Sequence, residues 1–254
     1  MMKNILFISL FLSLVSCNYK MIDKPGLKGR IKEYTDYKIH IENLEDDSIL
    51  KDTIFISKSK FNKKGKVVKF EQLSVHSKTT YKNTNIYNSG GRIIKEIGNY
   101  NDNEIIVEYV YKDTLLQKVY SKNIIDNEIS ELTEQYFYDN QGVLKKRKTS
   151  SYIIENKDTV SSDIWVNNYD ENGVLYKSTS LMNNVLDSMK KTTYKYEYNK
   201  LELPLKTFEY DENDSLIVTN VYKYRFDKNG SWIEKENYKN DTLKYLTIRI
   251  IEYD

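Results

Sequence analysis

The stretch Tyr169–Lys177 reads YDENGVLYK: an aromatic residue suited to a strand, then an acid, a polar pair and a glycine, before apolar residues resume. The acid can accept hydrogen bonds from the backbone of a turn, and Asn172 tolerates unusual dihedral angles. Gly173 can adopt positive φ at the end of a type I turn. A turn of this kind joins two neighbouring antiparallel strands, so the phrase predicts a hairpin.

The same phrase recurs along the chain, and a second turn phrase alternates with it. The glycine phrase stands at FNKKGKVVKF (61–70), YNSGGRIIKE (87–96), YDNQGVLKK (138–146) and FDKNGSWIEK (226–235). The second phrase, an acid followed by Ser or Thr and an aliphatic residue, begins at Asp113, Asp158, Asp187, Asp214 and Asp241. Successive turns of an up-and-down meander lie at opposite edges. We therefore expect the glycine turns along one rim and the acidic turns along the other.

One turn of the series has lost its glycine. The step from Asp187 to Asp214 is about twice the usual spacing between turns. Within this step, YNKLELPLK (198–206) aligns with YDENGVLYK and carries Glu202 where the glycine stood. We predict a hairpin turn here as well. The spacing leaves strands of roughly nine residues, near the long end of the usual range.

Between the turns, residues alternate with a period of two. In TYKYEY (193–198) three tyrosines fall on one face and Thr, Lys and Glu on the other, and VYKYRF (221–226) repeats the arrangement. No sustained helical pattern occurs outside the first residues of the chain. The fold class is therefore predicted as all-β: an antiparallel up-and-down meander of repeated hairpins that forms a curled sheet, with closure into a barrel left open.

Tyrosine is expected to be the main core-builder, because the chain holds 23 tyrosines and only 39% hydrophobic residues. We predict one inward-facing aromatic band from strands two apart in the meander. If the band lines an open cleft instead of a core, its members become ligand-binding residues. Trp165 and Trp232, nearer to the turns, are the residues more strongly expected to contact a ligand. The tyrosines of the predicted band are Tyr194, Tyr196, Tyr222 and Tyr224.

The first residues predict export and lipidation. Residues 1–16 have the charged start and short apolar run of a signal peptide, too short for a membrane-spanning helix. Cys17, the sole cysteine, follows Leu14-Val15-Ser16, which resembles the lipobox of bacterial lipoproteins. The resemblance implies an acyl anchor on Cys17, a tether over residues 17–29, and a β-sheet domain over 30–254. We expect the outer membrane, with the periplasmic or cell-surface face undecided.

The sequence offers little for catalysis or metal binding. The net charge of +2 does not indicate nucleic acid as a partner, and His40 and His76 belong to no catalytic motif. The chain is therefore predicted not to be an enzyme and to hold no cofactor or metal. Asp170-Glu-Asn-Gly resembles part of a calcium loop but lacks the further oxygen ligands of one. A transmembrane barrel shares the alternation, but here tyrosines fill the strand centres instead of two girdles.

The phrases YFYDNQGVL, NNYDENGVL and YRFDKNGSW resemble the YD repeats of RHS-type proteins, and more closely the short YD-repeat lipoproteins of Bacteroidetes-like bacteria. The resemblance covers residues 61–254 and implies a curled antiparallel sheet. Two functions follow as hypotheses. One is a non-catalytic envelope protein that binds a glycan or an envelope protein. The other is a protein-directed accessory or toxin-immunity lipoprotein.

Overall fold

A computed structural model describes residues 27–43, 49–101, 103–125, 128–155, 158–184 and 187–254, which form sixteen strands. In chain order these are β1 (Ile31–Asn43), β2 (Ile49–Phe61), β3 (Val67–Ser74), β4 (Thr80–Tyr87), β5 (Ile93–Tyr100), β6 (Asn103–Lys112), β7 (Leu115–Ile125), β8 (Glu128–Tyr138), β9 (Leu144–Glu155), β10 (Asp158–Tyr169), β11 (Leu175–Asn184), β12 (Asp187–Tyr198), β13 (Pro204–Tyr210), β14 (Leu216–Phe226), β15 (Trp232–Lys239) and β16 (Thr242–Tyr253).

The strands form one closed barrel. Each strand pairs antiparallel with its neighbours in chain order, and β1 pairs with β16, where Tyr37 stands opposite Ile248. Closure removes the two free edges that an open sheet would expose. The predicted all-β meander is confirmed, and the curled sheet is a barrel. No helix in the described part of the chain is long and apolar enough to cross a membrane.

The glycine phrase forms the turn that the sequence predicts. The Asp170 carboxylate accepts hydrogen bonds from the backbone N–H groups of Asn172 (2.9 Å) and Val174 (2.8 Å), and Gly173 has φ of 76°. Glu202 takes the glycine position of its own turn with φ of 58°, so the turn without glycine is also confirmed. The same pair of bonds begins the turns at Asn62, Asp139, Asn199, Asp211 and Asp227, and at Asn88 the side-chain oxygen accepts from the Arg92 N–H.

All the glycine turns lie on one edge of the barrel, together with residues 27–30 and Asp254; we call this edge the glycine rim. The acidic turns at Asp158, Asp187, Asp214 and Asp241 lie on the opposite rim, as predicted. The prediction is wrong for Asp113, which lies between β6 and β7 on the glycine rim. The chain also turns between β5 and β6 and between β7 and β8, where neither phrase occurs. Asp113 is therefore two turns away from both Gly91 and Gly142 and lies on the same rim as these glycines.

Asp214 also differs from the predicted second type of turn. It occupies the glycine position, with φ of 61°, of a turn that begins at Asp211. The Asp211 carboxylate accepts from the N–H groups of Asn213 and Ser215, as in the glycine turns. Asp tolerates the left-handed region better than most residues, so the same turn forms without glycine.

In four places, a tyrosine at or near the end of a strand binds the start of the strand before it. The Tyr138 hydroxyl, at the end of β8, donates to the carbonyl of Leu116 near the start of β7 (2.8 Å). Equivalent bonds join Tyr87 to Val67 (2.6 Å), Tyr111 to Ile93 (2.8 Å) and Tyr224 to Pro204 (3.0 Å). These tyrosines therefore satisfy main-chain carbonyls along the glycine rim.

The two faces of the sheet differ in chemistry. The lumenal face carries the buried side chains, and most of these are polar, including serines, threonines, asparagines and charged residues. An apolar cluster occupies only one lumenal wall and consists of Tyr81, Ile105, Val107, Leu116, Val119, Leu132 and Tyr136. Tyrosine was expected to be the main core-builder. Aliphatic residues supply five of these seven buried side chains, and the half-buried side chains packed against them are mostly tyrosines: Tyr100, Tyr109, Tyr111 and Tyr138. A small apolar wall is enough because a broad barrel has no single dry centre.

Candidate functional site

Charged side chains gather on the lumenal wall formed by β15, β16 and β1. Lys38 on β1 stands opposite Thr247 on β16, which stands opposite Lys235 on β15. In the next row Asp36 stands opposite Arg249. Hydrogen-bonded strands are about 4.8 Å apart, so the backbones of the two lysines are roughly 10 Å apart. We call Lys38, Lys235, Arg249 and Asp36 the basic cluster.

Arg249 is held rigidly. Its guanidinium makes two bonds of 2.6 Å to the Asp36 carboxylate, a bidentate arrangement that fixes the plane of the group. The same group lies 3.5 Å from the ring centroid of Trp232 and 4.2 Å from that of Tyr34. Because Asp36 compensates its charge and the rings cover its faces, Arg249 forms a fixed part of the wall.

The two lysines have no ion pair of this kind. Among the residues that the structure describes, no carboxylate lies within ion-pair distance of Lys38 or Lys235. Their amines face aromatic rings instead: Lys38 lies 4.6 Å from the Tyr245 centroid, and Lys235 lies 6.0 Å from that of Tyr222. Burial lowers the pKa of both amines, and repulsion from Lys38 contributes to lowering the pKa of Lys235 to about 8.

The facing wall has the opposite charge but no free ligand groups. Glu96 on β5 and Glu134 on β8 are buried in the lumen, about five and eight strands around the sixteen-strand ring from β16. Glu96 accepts from the hydroxyl of Tyr81 (2.7 Å) and Glu134 from that of Tyr136 (2.5 Å). Further donors to the two carboxylates are Asn83, Tyr109 and Thr149. These bonds make the acidic wall a structural network.

The tyrosine hydroxyls of that wall are poor acids. Burial raises the pKa of Tyr81 and of Tyr136 well above the usual value, and the adjacent Glu96 and Glu134 charges raise these pKa values further. The hydroxyls therefore remain protonated and continue to donate to the glutamates. Neither glutamate is left unpaired, so these two carboxylates are not available to pair with the basic cluster.

Several of the aromatic residues predicted as ligand contacts face the lumen as expected. Trp165 on β10 stacks with Tyr194 on β12, with centroids 5.9 Å apart and planes at 19°. The small side chains of Ser178 and Ser180 on the intervening β11 leave space for this contact. Tyr196 stacks in turn with Tyr198 at 6.3 Å. These rings are half-buried, so the prediction that they contact a ligand stays open.

The remaining predicted contacts divide into three roles. Trp232 was expected to be accessible, but its side chain is only 7% exposed, because it packs under the Arg249 guanidinium and against Tyr224. The Tyr224 hydroxyl donates to the Pro204 carbonyl (3.0 Å), which is a structural role. Tyr222 faces the Lys235 amine and belongs to the site.

The aromatic band is not continuous. Tyr194 and Tyr196 on β12 are separated from Tyr222 and Tyr224 on β14 by the intervening β13. The residues of β13 opposite the two β12 tyrosines are Glu209 and Thr207. The band therefore divides into two aromatic groups, one around Trp165 and one beside the basic cluster.

The two histidines lie far apart. The His40 ring is 5.5 Å from that of Tyr245 on the lumenal side, next to the basic cluster. His76 is exposed near the opposite rim and lies 2.9 Å from a carboxylate oxygen of Asp52. Neither is placed beside a nucleophile by these contacts.

Sequence reasoning missed the basic cluster, although a signal for it exists. In EYTDYKIH, Asp36 and Lys38 are two and four residues after Tyr34, so all three side chains lie on the same face of the strand. Tyr34 marks this face as the aromatic one, where charged residues are unexpected. Arg249 likewise alternates with Ile248 and Ile250, which are exposed. Charged residues on the inward-facing side of these strands therefore mark the site. What could not be read from the sequence is that β1 and β16 meet.

No protein-family model and no curated protein sequence matches the chain. Solved structures do match. A porin-like protein from Bacteroides vulgatus ATCC 8482 superposes with a TM-score of 0.54 at 12% identity, over 89% of this chain and 99% of the other. A porin-like protein from Bacteroides uniformis ATCC 8492 gives 0.50 at 10% identity, over 90% and 99%. At such identities the likeness establishes the barrel fold.

Proposed function

We propose that the protein is an outer-membrane lipoprotein, anchored by Cys17, whose barrel binds an envelope glycan or protein in its lumen without catalysing a reaction. Cys17 lies outside the described residues. Support for the location comes from the lipobox-like sequence and from the porin-like barrel of the structural neighbours. The single observation that carries the binding role is the uncompensated positive charge inside the barrel, at Lys38 and Lys235.

The outer face of the barrel favours an anchor over direct insertion in the bilayer. Exposed charged residues alternate with the lumenal ones in the middle of most strands; examples are Lys82, Glu108, Lys118, Lys195 and Lys223. A transmembrane barrel needs an outward apolar band about 25 Å tall, and a lysine at the bilayer midplane costs about 2–4 kcal/mol. Several such charges at once make insertion unfavourable.

The N-terminal segment suggests how an anchored barrel would be oriented. The Lys28 N–H donates to the Ser231 hydroxyl oxygen (2.7 Å), and that hydroxyl donates to the Lys28 carbonyl (3.0 Å). Ser231 is fully buried, so residue 28 is fixed to the glycine rim. Cys17 is ten residues before Leu27, and a chain of that length spans at most about 35 Å. An acylated Cys17 would therefore hold the glycine rim towards the membrane and the opposite rim away from it.

A second candidate is a pore that spans the membrane. It is favoured by the porin-like neighbours and by the exposed Ile248 and Ile250 on the outer face at the closing seam. The two candidates differ in what holds the protein at the membrane, since a pore would stay inserted without its acyl chain.

The Cys17→Ser variant distinguishes the two candidates. We expect the variant to move from the membrane fraction to the soluble envelope fraction as a folded barrel, because nothing but the acyl chain anchors it. Fractionation followed by immunoblotting measures this, with the wild-type protein as control. Recovery of unacylated Cys17→Ser in the membrane at the wild-type level would refute the anchored form and support the pore.

A further inference from the structure

We propose that the basic cluster is a binding site for a carboxylate-bearing sugar, whose carboxylate bridges Lys38 and Lys235 across Thr247. The inference rests on the lumenal binding proposed above and specifies its ligand class. Three observations carry it: the two lysines flank Thr247, the side-chain oxygen of Asn237 beside them has no donor among the described residues, and the rings of Tyr222 and Tyr245 border the site.

The row of residues suits a single anionic group. The lysines flank Thr247, and their backbones are roughly 10 Å apart. Flexible lysine side chains of this separation can converge on one carboxylate from both sides, each as a point charge. Arg249 does not compete for this role because both of its bonds already go to Asp36.

Without a bound anion, the positive charges of Lys38 and Lys235 destabilise this part of the lumenal wall. The Lys38 and Lys235 ammonium groups stand close enough to repel each other, and the nearby Asp36 carboxylate, which attracts Lys235, is already bonded to Arg249. A buried charge is costly unless it is paired. One bound carboxylate would compensate most of this charge, whereas the glutamates of the facing wall are already engaged by tyrosine hydroxyls.

A neighbouring amide indicates that the ligand carries more than a charge. Asn237 lies two residues from Lys235 on β15, opposite Tyr222 on one side and Tyr245 on the other. Its Oδ1 atom is buried, and no described residue donates to it. A buried acceptor of this kind needs a donor. A ligand hydroxyl beside the carboxylate would supply it, at a separation of about 6–7 Å along the strand, which is the scale of one sugar ring.

The rings around the row complete a site for a sugar. Tyr222 and Tyr245 lie on the two sides of Asn237, and the two rings also face Lys235 and Lys38. Aromatic faces contact the C–H groups of sugars while the amines and the amide bind the oxygens. A bare inorganic anion would use the lysines but neither the amide nor the rings.

Calorimetric titration of the full chain carrying Cys17→Ser, at pH 7 in phosphate-free buffer, tests the site with D-glucuronate, D-glucose and sodium sulfate as probes. We expect D-glucuronate to bind and D-glucose not to bind. Lys38→Met and Lys235→Met should each weaken D-glucuronate binding at least tenfold. Asn237→Ala should weaken D-glucuronate binding but leave any sulfate binding unchanged.

The matched control is Lys223→Met. Lys223 lies on β14 with its amine 4.4 Å from the centroid of Tyr238, so it resembles Lys235 in chemistry but is exposed on the outer face. It should leave binding unchanged. Circular dichroism checks the fold of every variant, and Lys235→Gln replaces Lys235→Met if the latter fails to fold.

Three results would overturn the proposal: no D-glucuronate binding, equal affinity in Lys235→Met and Lys223→Met, or sulfate binding as tight as D-glucuronate with no effect of Asn237→Ala. The third would leave a simple oxyanion site. Failure of the anchor proposal is seen separately, because fractionation of Cys17→Ser does not depend on any lumenal residue.

Discussion

At the scale of single residues, the turn phrase fixes the conformation of the backbone. An acid or asparagine at its first position accepts two backbone N–H bonds, and the fourth position takes positive φ. Glycine fills that position at residues 65, 91, 142, 173 and 230, while Glu202 and Asp214 occupy it in two other turns. The bonding of the first residue is therefore enough to form the turn, and glycine lowers its conformational cost.

Two opposite substitutions measure that cost. Gly91 has φ of 76°, and nothing lies within 4 Å of the position where a Cβ would be. Gly91→Ala therefore measures the backbone strain of positive φ without a steric clash, and it should lower the free energy of unfolding by about 1 kcal/mol. Glu202→Gly should be neutral or stabilising by less than about 1 kcal/mol, because relief of the strained φ opposes the greater flexibility of the unfolded chain. Denaturant midpoints report both changes. Unchanged stability in Gly91→Ala would contradict the assigned strain.

At the scale of elements, a tyrosine hydroxyl joins the end of one strand to the start of the strand before it. The hydroxyls of Tyr87, Tyr111, Tyr138 and Tyr224 each reach back about twenty residues to a main-chain carbonyl along the glycine rim. Tyr87 and Tyr138 are the first residues of a glycine phrase, whereas Tyr111 and Tyr224 lie outside it, so the bond belongs to the strand end and is not specific to the phrase.

Tyr138→Phe tests this role. The change removes the hydroxyl and leaves the Leu116 carbonyl without that donor, at a residue whose side chain is fully buried. We expect a loss of about 1–2 kcal/mol in the free energy of unfolding. Tyr152→Phe on β9, whose ring is exposed, is the matched control and should change stability by less than about 0.5 kcal/mol. Equal effects at the two positions, measured by urea unfolding, would reject the proposed fastening.

At the scale of the whole molecule, closure of the barrel creates the charged lumen. β1 and β16 come from opposite ends of the described chain, and their pairing places Asp36 against Arg249 and Lys38 against Thr247. The Glu96 and Glu134 wall is internally satisfied, whereas the wall at the seam keeps two unpaired amines. Stability and binding therefore make opposite demands at this seam.

Lys235→Met should raise the free energy of unfolding at neutral pH while weakening D-glucuronate binding at least tenfold. The pKa of Lys235 is lowered in the fold to about 8 from an ordinary 10.5, so the unfolded chain binds the extra proton between these values. The penalty is fully present below pH 8 and disappears as pH rises towards 10.5. The variant should gain on the order of 1–3 kcal/mol at pH 7, with the difference from wild type shrinking above pH 8.

The charged and titratable groups that face this amine are Lys38, Asp36, Arg249 and Tyr222, and all of them remain in the variant. Comparing wild type with Lys235→Met at each pH therefore cancels most of their own titration. Urea unfolding from pH 6 to pH 10 supplies the measurement. A difference that is constant over this range would show that Lys235 has an unperturbed amine.

The sequence by itself determined the strands, the hairpin turns and most of the rim assignment, because period-two alternation and the turn phrase act over a few residues and need no distant partner. It also placed Tyr194 and Tyr222 on the inner face, where they contact Trp165 and the Lys235 amine. The tertiary structure decided closure, since the pairing of Tyr37 with Ile248 joins residues from the two ends of the barrel. It also decided which charged residues share a wall. Register shifts, such as those at Lys38/Ile39 and Asn237/Tyr238, change which residues stand opposite one another, and no local pattern encodes that arrangement.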